Sequence, residues 1–167
     1  MILIALGANL PSPAGAPAET LNQAVNLMAQ RSITVESQSG FYRSAAWPNP
    51  ADPPFLNAMV SVKTTLSPVE LLSALHRIEA HFGRMRGEPN APRTLDLDLI
   101  DYEGRVEPGP PELPHPRMHL RVFVLCPLAE IAPDWRHPVT GLTVRELIDA
   151  LPPSDIRRYG FHQEGEI

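Results

Sequence analysis

The chain has 167 residues, 43% of them hydrophobic and 20% charged, and a formal net charge of -5. That length suits one domain, residues 1–167, with its own hydrophobic core, and the acidic balance gives no reason to expect bulk binding to nucleic acid or acidic membranes. Cys126 is the single cysteine, so no intrachain disulfide can form. No apolar stretch approaches the ~20 residues of a membrane-spanning helix. The start, MILIALGANL, lacks the basic flank of a signal peptide, and a cytoplasmic location is expected. Thirteen of the fourteen basic residues are arginine, a bias that fits genome composition better than function.

In chain order, Ile2 to Leu6 is an apolar run that predicts a buried strand ended by Gly7. Leu21, Ala24, Val25 and Met28 recur at helical spacing, which predicts a helix over Pro17 to Arg31. Ile33 to Arg43 reads as an extended strand. AAWPNPADPP holds four prolines in ten residues and must be a loop. Phe55 to Thr65 alternates as a strand should. SPVELLSALHRIEAHFG is the clearest helix, with Ser67 as N-cap, Pro68 in the first turn, Glu70 closing a capping box and Gly83 as terminator. RMRGEPNAP is a second, basic loop. Thr94 to Asp101 forms another strand. Beyond it come a hairpin around EGRVEP, a proline-rich connection, a short helix over Arg121 to Ile131, and a capped helix opening at Thr143. The predicted class is α+β: a ferredoxin-like βαββαβ core with an antiparallel sheet, both helices on one face, and a C-terminal extension of hairpin and short helices.

The last core strand is unusual. Side chains alternate across a strand, so Leu95, Leu97 and Leu99 share one face while Asp96 and Asp98 share the other. Two carboxylates ~7 Å apart at Cα repel unless something positive sits between them. Hard oxygen ligands of this kind suit Mg²⁺, and two ions ~4 Å apart could share the pair and clamp a polyphosphate. A solvated strand face is the simpler reading of a bare DxD. Asp101 falls on the leucine side near the strand end and reads as a turn residue.

Neighbouring residues sharpen the picture. Arg84, Arg86 and Arg93 precede the acids in the basic loop, and acids beside arginines suit phosphoryl transfer. Salt bridging between the same groups is the alternative. No Gly-rich nucleotide loop is present. Phe41, Tyr42, Trp47, Phe55 and Asn57 offer stacking faces and an amide edge for a flat heteroaromatic ligand, and Phe55 and Asn57 share a strand face. His115 lies between prolines, and Arg121 and Phe123 open the apolar helix.

Together these stretches resemble the 6-hydroxymethyl-7,8-dihydropterin pyrophosphokinase family. PRTLDLDLI followed by PHP and RVFVLCPL carries the resemblance, with FYRS, FLNAMV and IEAHFGRMR in order before it, and it runs from ALGANL to EIAPDW. The resemblance implies the ferredoxin-like core and pyrophosphoryl transfer from ATP to the pterin hydroxymethyl group, releasing AMP, in folate biosynthesis. Asp96 and Asp98 would bind two Mg²⁺ ions, and Arg84 and Arg93 would meet the phosphates. Phe55 and Phe123 would sandwich the pterin, Asn57 would read its edge, and Ser44 and Trp47 would contact it through backbone groups. His76, Glu79, His115 and Arg121 would hold ATP, with Arg86 a mobile contact. Asn90 stands near where the family often has a tryptophan. The loops 45–54 and 84–92 are natural lids. No nucleic acid, membrane or obligate protein partner is implied. A different metal-dependent transferase and a ligand-binding regulatory module are the competing readings.

Overall fold

A computed structural model of the protein describes residues 1–46, 49–84 and 92–158. Its elements in chain order are β1 (Ile2–Ala8), α1 (Pro17–Ala29), β2 (Thr34–Gln38), β3 (Tyr42–Ser44), β4 (Phe55–Lys63), α2 (Pro68–His81), β5 (Asp96–Tyr102), a 3-10 turn (Met118–Leu120), α3 (Val122–Ile131), α4 (Val144–Asp149) and β6 (Arg157–Arg158).

The sheet runs β5-β1-β4, with β4 pairing β2 through its second half and β3 through its first. Every pairing is antiparallel, which is the ferredoxin-like arrangement expected. β1 lies between two partners, and all seven of its residues are buried. Its even residues Ile2, Ile4 and Leu6 pack with Leu97 and Leu99 of β5 against Leu21 and Met28 of α1 and Leu71, Leu75 and Ile78 of α2. Both helices therefore cover one face. Ser67 caps α2 with the full reciprocal box, and Gly83 follows the helix with φ 79°, a left-handed conformation that only glycine adopts freely.

The opposite face carries a second core. Leu3, Ala5, Met59 and Ile100 meet Val124, Leu125 and Leu128 of α3, Val144 and Leu147 of α4, and Trp135. The C-terminal extension thus covers part of the second face, and a cavity lined by Ala5 and Gly7 borders the rest. No helix among the described residues is long and apolar enough to cross a membrane.

Four local expectations need revising. β1 does not stop at Gly7: it continues to Ala8, and Gly7 pairs with Asn57 on one side and Asp96 on the other. The strand expected over Ile33 to Arg43 is two strands, broken at Ser39–Phe41, where Ser39 Oγ accepts from Met59 N–H and replaces a ladder bond. The hairpin around EGRVEP has its turn, with Glu103 and Gly104 both left-handed, but its return segment closes on itself through a Glu107–Leu113 bridge. Pro108, Pro110 and Pro111 offer no N–H for a ladder with β5. Finally, a bulge moves Asp101 off the leucine side. Leu3 pairs with Asp101 and Ile4 with Leu99, so Ile100 is the extra residue. Asp101 joins the α3 face, 3% exposed, accepting from Trp135 Nε1 at 2.8 Å and from Gly104 N–H at 3.0 Å. The second bond keeps its expected part in the turn.

Candidate active site

The site is built where β1 ends and β4 and β5 begin, beside the start of α3. Two cavities meet there. One, of about 480 Å³, is lined by Gly7, Ser44, Phe55, Asn57, Arg93, Arg121 and Phe123. The other, of about 290 Å³, is lined by His76, Glu79, Arg84 and His115. Asp96 and Asp98 line both. The alternation of β5 produces this directly: the leucines are held under α2 while both acids face the seam.

In the larger cavity Asn57 is 4% exposed and oriented by its neighbours. Its Nδ2 donates to Tyr42 O at 3.2 Å and to Ser44 Oγ at 2.8 Å. The amide is thereby fixed before any ligand arrives. Phe55 stands opposite Ser44 in the β3–β4 register. Phe123, in the first turn of α3, lies under the Arg121 guanidinium at 5.6 Å, a cation–π contact that settles both side chains.

The acids differ in their company. Asp96 is bonded on both oxygens, by Arg84 at 2.8 Å and by Arg93 at 2.9 Å. The salt bridging weighed from sequence is therefore real for this residue. Among the described residues Asp98 has one ion pair, a long one to Arg121 at 3.9 Å. Burial first, and then the Asp96 charge, push the Asp98 carboxyl up to about 7. A carboxylate so poorly compensated has coordination capacity to spare. The oxygen-only donor pair fits Mg²⁺. Among the described residues no group of three or more His, Cys, Asp or Glu converges to hold a metal, so water and phosphate oxygens would have to complete the shell, as that ion prefers.

Glu79 is buried on α2 and ties that helix to the site. It accepts from Leu97 N–H at 2.9 Å and pairs with Arg84. Burial raises its pKa against the opposing pull of Leu97 N–H and Arg84. Burial would lower the Arg84 pKa, but Asp96 and Glu79 together carry it above its ordinary value. Arg121 goes the other way, its burial outweighing the help of Asp98.

His115 is anchored by its backbone N–H to Ile100 O at 2.9 Å, and its Nδ1 accepts from Arg117 N–H at 3.2 Å. Its proton therefore belongs on Nε2, which is left to donate. Burial, then Arg121 and Arg117, lower its pKa to about 4. The folded ring is neutral, while the unfolded ring takes a proton below about 6.5. His115 should then cost stability progressively as pH falls from 6.5 to about 4. Urea midpoints measured across that range should decline less steeply in His115→Asn than in the parent, and equal slopes would refute the assignment.

Sequence reasoning passed over two contributors. Gly7 is part of the cavity floor, where a Cβ would stand 3.4 Å from Asn57 Oδ1 and 3.9 Å from the Phe55 ring. The taper Leu3, Ala5, Gly7 along one strand face was its signal. Arg117 lines the same cavity, one residue beyond PHP. Trp47, Arg86 and Asn90 lie outside the described residues.

Comparison with known proteins gives the family. Residues 3–133 match the family described as 7,8-dihydro-6-hydroxymethylpterin-pyrophosphokinase. A 2-amino-4-hydroxy-6-hydroxymethyldihydropteridine pyrophosphokinase of Synechocystis sp. is 45% identical over 149 residues, covering 88% of this chain and 74% of that protein. One of Methylorubrum extorquens is 40% identical over 156 residues, covering 93% and 96%. In fold, the chain is similar to the Plasmodium falciparum HPPK-DHPS crystal structure, with a TM-score of 0.66 at 13% identity, across 89% of this chain and 43% of that one. The chain therefore belongs to the 7,8-dihydro-6-hydroxymethylpterin-pyrophosphokinase family, enzymes that transfer pyrophosphate to the hydroxymethyl group of the dihydropterin in folate biosynthesis.

Proposed function

We propose that residues 1–167 act as one ATP- and Mg²⁺-dependent pyrophosphokinase domain, with the pterin in the larger cavity and ATP in the smaller. The observation that carries this reading is the placement of Asp96 and Asp98 on the border between two cavities of unlike chemistry. One side offers aromatic faces and a pre-oriented amide, and the other offers arginine and histidine donors.

In this reading the pterin hydroxyl oxygen forms a bond to the β-phosphorus of ATP, the bridging bond to the α-phosphate breaks, AMP leaves, and the hydroxyl proton is released. Phe55 and Phe123 hold the ring, and Asn57 hydrogen-bonds its polar edge while Ser44 and Tyr42 keep the amide in place. Arg84 and Arg93, bonded to Asp96 in the absence of ligand, are poised to exchange part of that contact for phosphate oxygens. His115 and Arg121, with His76 and Glu79 nearby, frame the nucleotide. Two Mg²⁺ ions on Asp96 and Asp98 would neutralise phosphate charge and make the alcohol a better nucleophile. Trp47 and Arg86 belong to the same scheme as loop contacts. Most of the catalysis is then positioning and charge stabilisation.

The test is AMP release from ATP and Mg²⁺ that depends strictly on 6-hydroxymethyl-7,8-dihydropterin. AMP formed without the pterin, or none with it, would overturn the reading. Within the same scheme, Phe123→Ala should weaken pterin binding about ten- to a hundredfold, as loss of one stacking face does for nucleobases. Fluorescence titration of the pterin checks this, and an unchanged affinity would remove Phe123 from the role.

A further inference from the structure

The two walls of the larger cavity come from different elements. Phe123 belongs to α3, whereas Ser44, Phe55 and Asn57 belong to β3 and β4. A contact between those same elements lies away from the cavity. Glu130 sits seven residues after Phe123 on α3, about 10.5 Å along the helix axis. Its Oε2 accepts from Gly40 N–H at 2.7 Å, immediately before β3. Its Oε1 pairs with Arg158 at 2.6 Å, and Arg158 belongs to β6, which pairs with β3 through Tyr42 and Arg43. The Tyr42 hydroxyl faces the same carboxylate: burial, and then the Glu130 charge, raise its pKa.

Gly40 leaves room for this arrangement. A Cβ there would stand 2.6 Å from Arg158 Nε and 2.7 Å from Nη2, so a larger residue would push the guanidinium aside. One carboxylate thus joins α3, the start of β3 and the C-terminal strand. The link to the site is short. Tyr42 O takes the Asn57 amide, and Ser44, two residues on, takes it as well.

Building on the pterin assignment above, the geometry points to Glu130, with Gly40 and Arg158, as a clasp that positions β3 against α3 and so sets the width of the pterin cavity. Glu130 touches no reacting atom and is a positioning residue. The nucleotide side is built mainly from α2, β5 and the His115 segment, and meets α3 at its N-cap Arg121, nine residues before Glu130. Loss of the clasp should therefore separate the two ligands.

The experiment measures direct binding of 6-hydroxymethyl-7,8-dihydropterin and of a non-hydrolysable ATP analogue with Mg²⁺, alongside KM, kcat and thermal midpoint, in the full chain. Glu130→Ala should weaken pterin binding and raise its KM about tenfold, as loss of a charged hydrogen-bond hub does, with analogue affinity within about twofold of the parent. Glu130→Gln, which keeps an acceptor for Gly40 N–H, should recover most of that loss. Arg158→Met, which keeps the stem and removes the charge, should fall between them and carries the test should Glu130→Ala not fold. Unchanged pterin affinity in Glu130→Ala and Arg158→Met would overturn the clasp. So would equal weakening of both ligands in step with the thermal midpoint. A parent enzyme that releases no AMP would instead count against the pyrophosphokinase reading, which separates the two failures.

Discussion

Asp98→Ala is expected to lower pyrophosphoryl transfer at least about 10³-fold while leaving pterin binding within about twofold. Asp98 faces both cavities, and among the described residues its ion pair, to Arg121, is long at 3.9 Å, so its role is toward ligands rather than toward the fold. Its carboxyl, pushed up to about 7, shows that the folded chain does not favour its charge. Removing it also relieves repulsion with Asp96. The thermal midpoint of Asp98→Ala should accordingly stay level or rise, which distinguishes a catalytic loss from an unfolding one. AMP-release assays and a melting curve on the same sample decide it. Turnover within about tenfold of the parent would sink the assignment of Asp98 to the metal.

Glu79→Ala should have the largest effect on stability, about 3 kcal/mol. Glu79 is 3% exposed and its carboxylate is the acceptor for Leu97 N–H, between Asp96 and Asp98 of β5. Alanine strands that buried donor and takes from Arg84 one of its two carboxylate partners among the described residues. At this chain length, the loss corresponds to a fall of roughly 10 °C in Tm. Activity should drop as well, because Arg84 loses the partner that holds it beside the seam. Glu79→Gln keeps an acceptor for the N–H and should lose less than half as much stability. Scanning calorimetry of the two variants checks the order, and a shift below about 2 °C in Glu79→Ala would refute the structural role.

The parts of this molecule legible in its sequence obey local rules. The alternation of leucine and aspartate named both faces of β5, and the reciprocal caps at Ser67 and Thr143 marked two helices at their first residue. Family motifs then brought Phe55, Asn57 and Phe123 into one cavity, where the structure also finds them. What was hidden depends on partners distant in the chain. Gly7 looks like a terminator because glycine usually ends a strand, yet here its missing side chain leaves room between Asn57 and Asp96. The break between β2 and β3 is set by the Ser39 hydroxyl bonding to Met59, twenty residues on. The Glu130 carboxylate gives no local sign that it will meet Gly40 and Arg158.

The bulge at Ile100 divides β5 into two lengths with opposite sidedness. Before it, odd-numbered leucines point to α2. After it, Tyr102 takes that side and Asp101 faces Trp135. Removing Ile100 alone would restore plain alternation, leaving Asp96, Asp98, Asp101 and Tyr102 on the sides they now occupy and taking only Ile100 from the core beneath α3. The strand is insulated against slippage: sliding β5 past β1 by one residue cannot satisfy both halves together. The metal-facing carboxylates thus keep their register because an anchor at the far end of the strand would have to be uprooted to shift them.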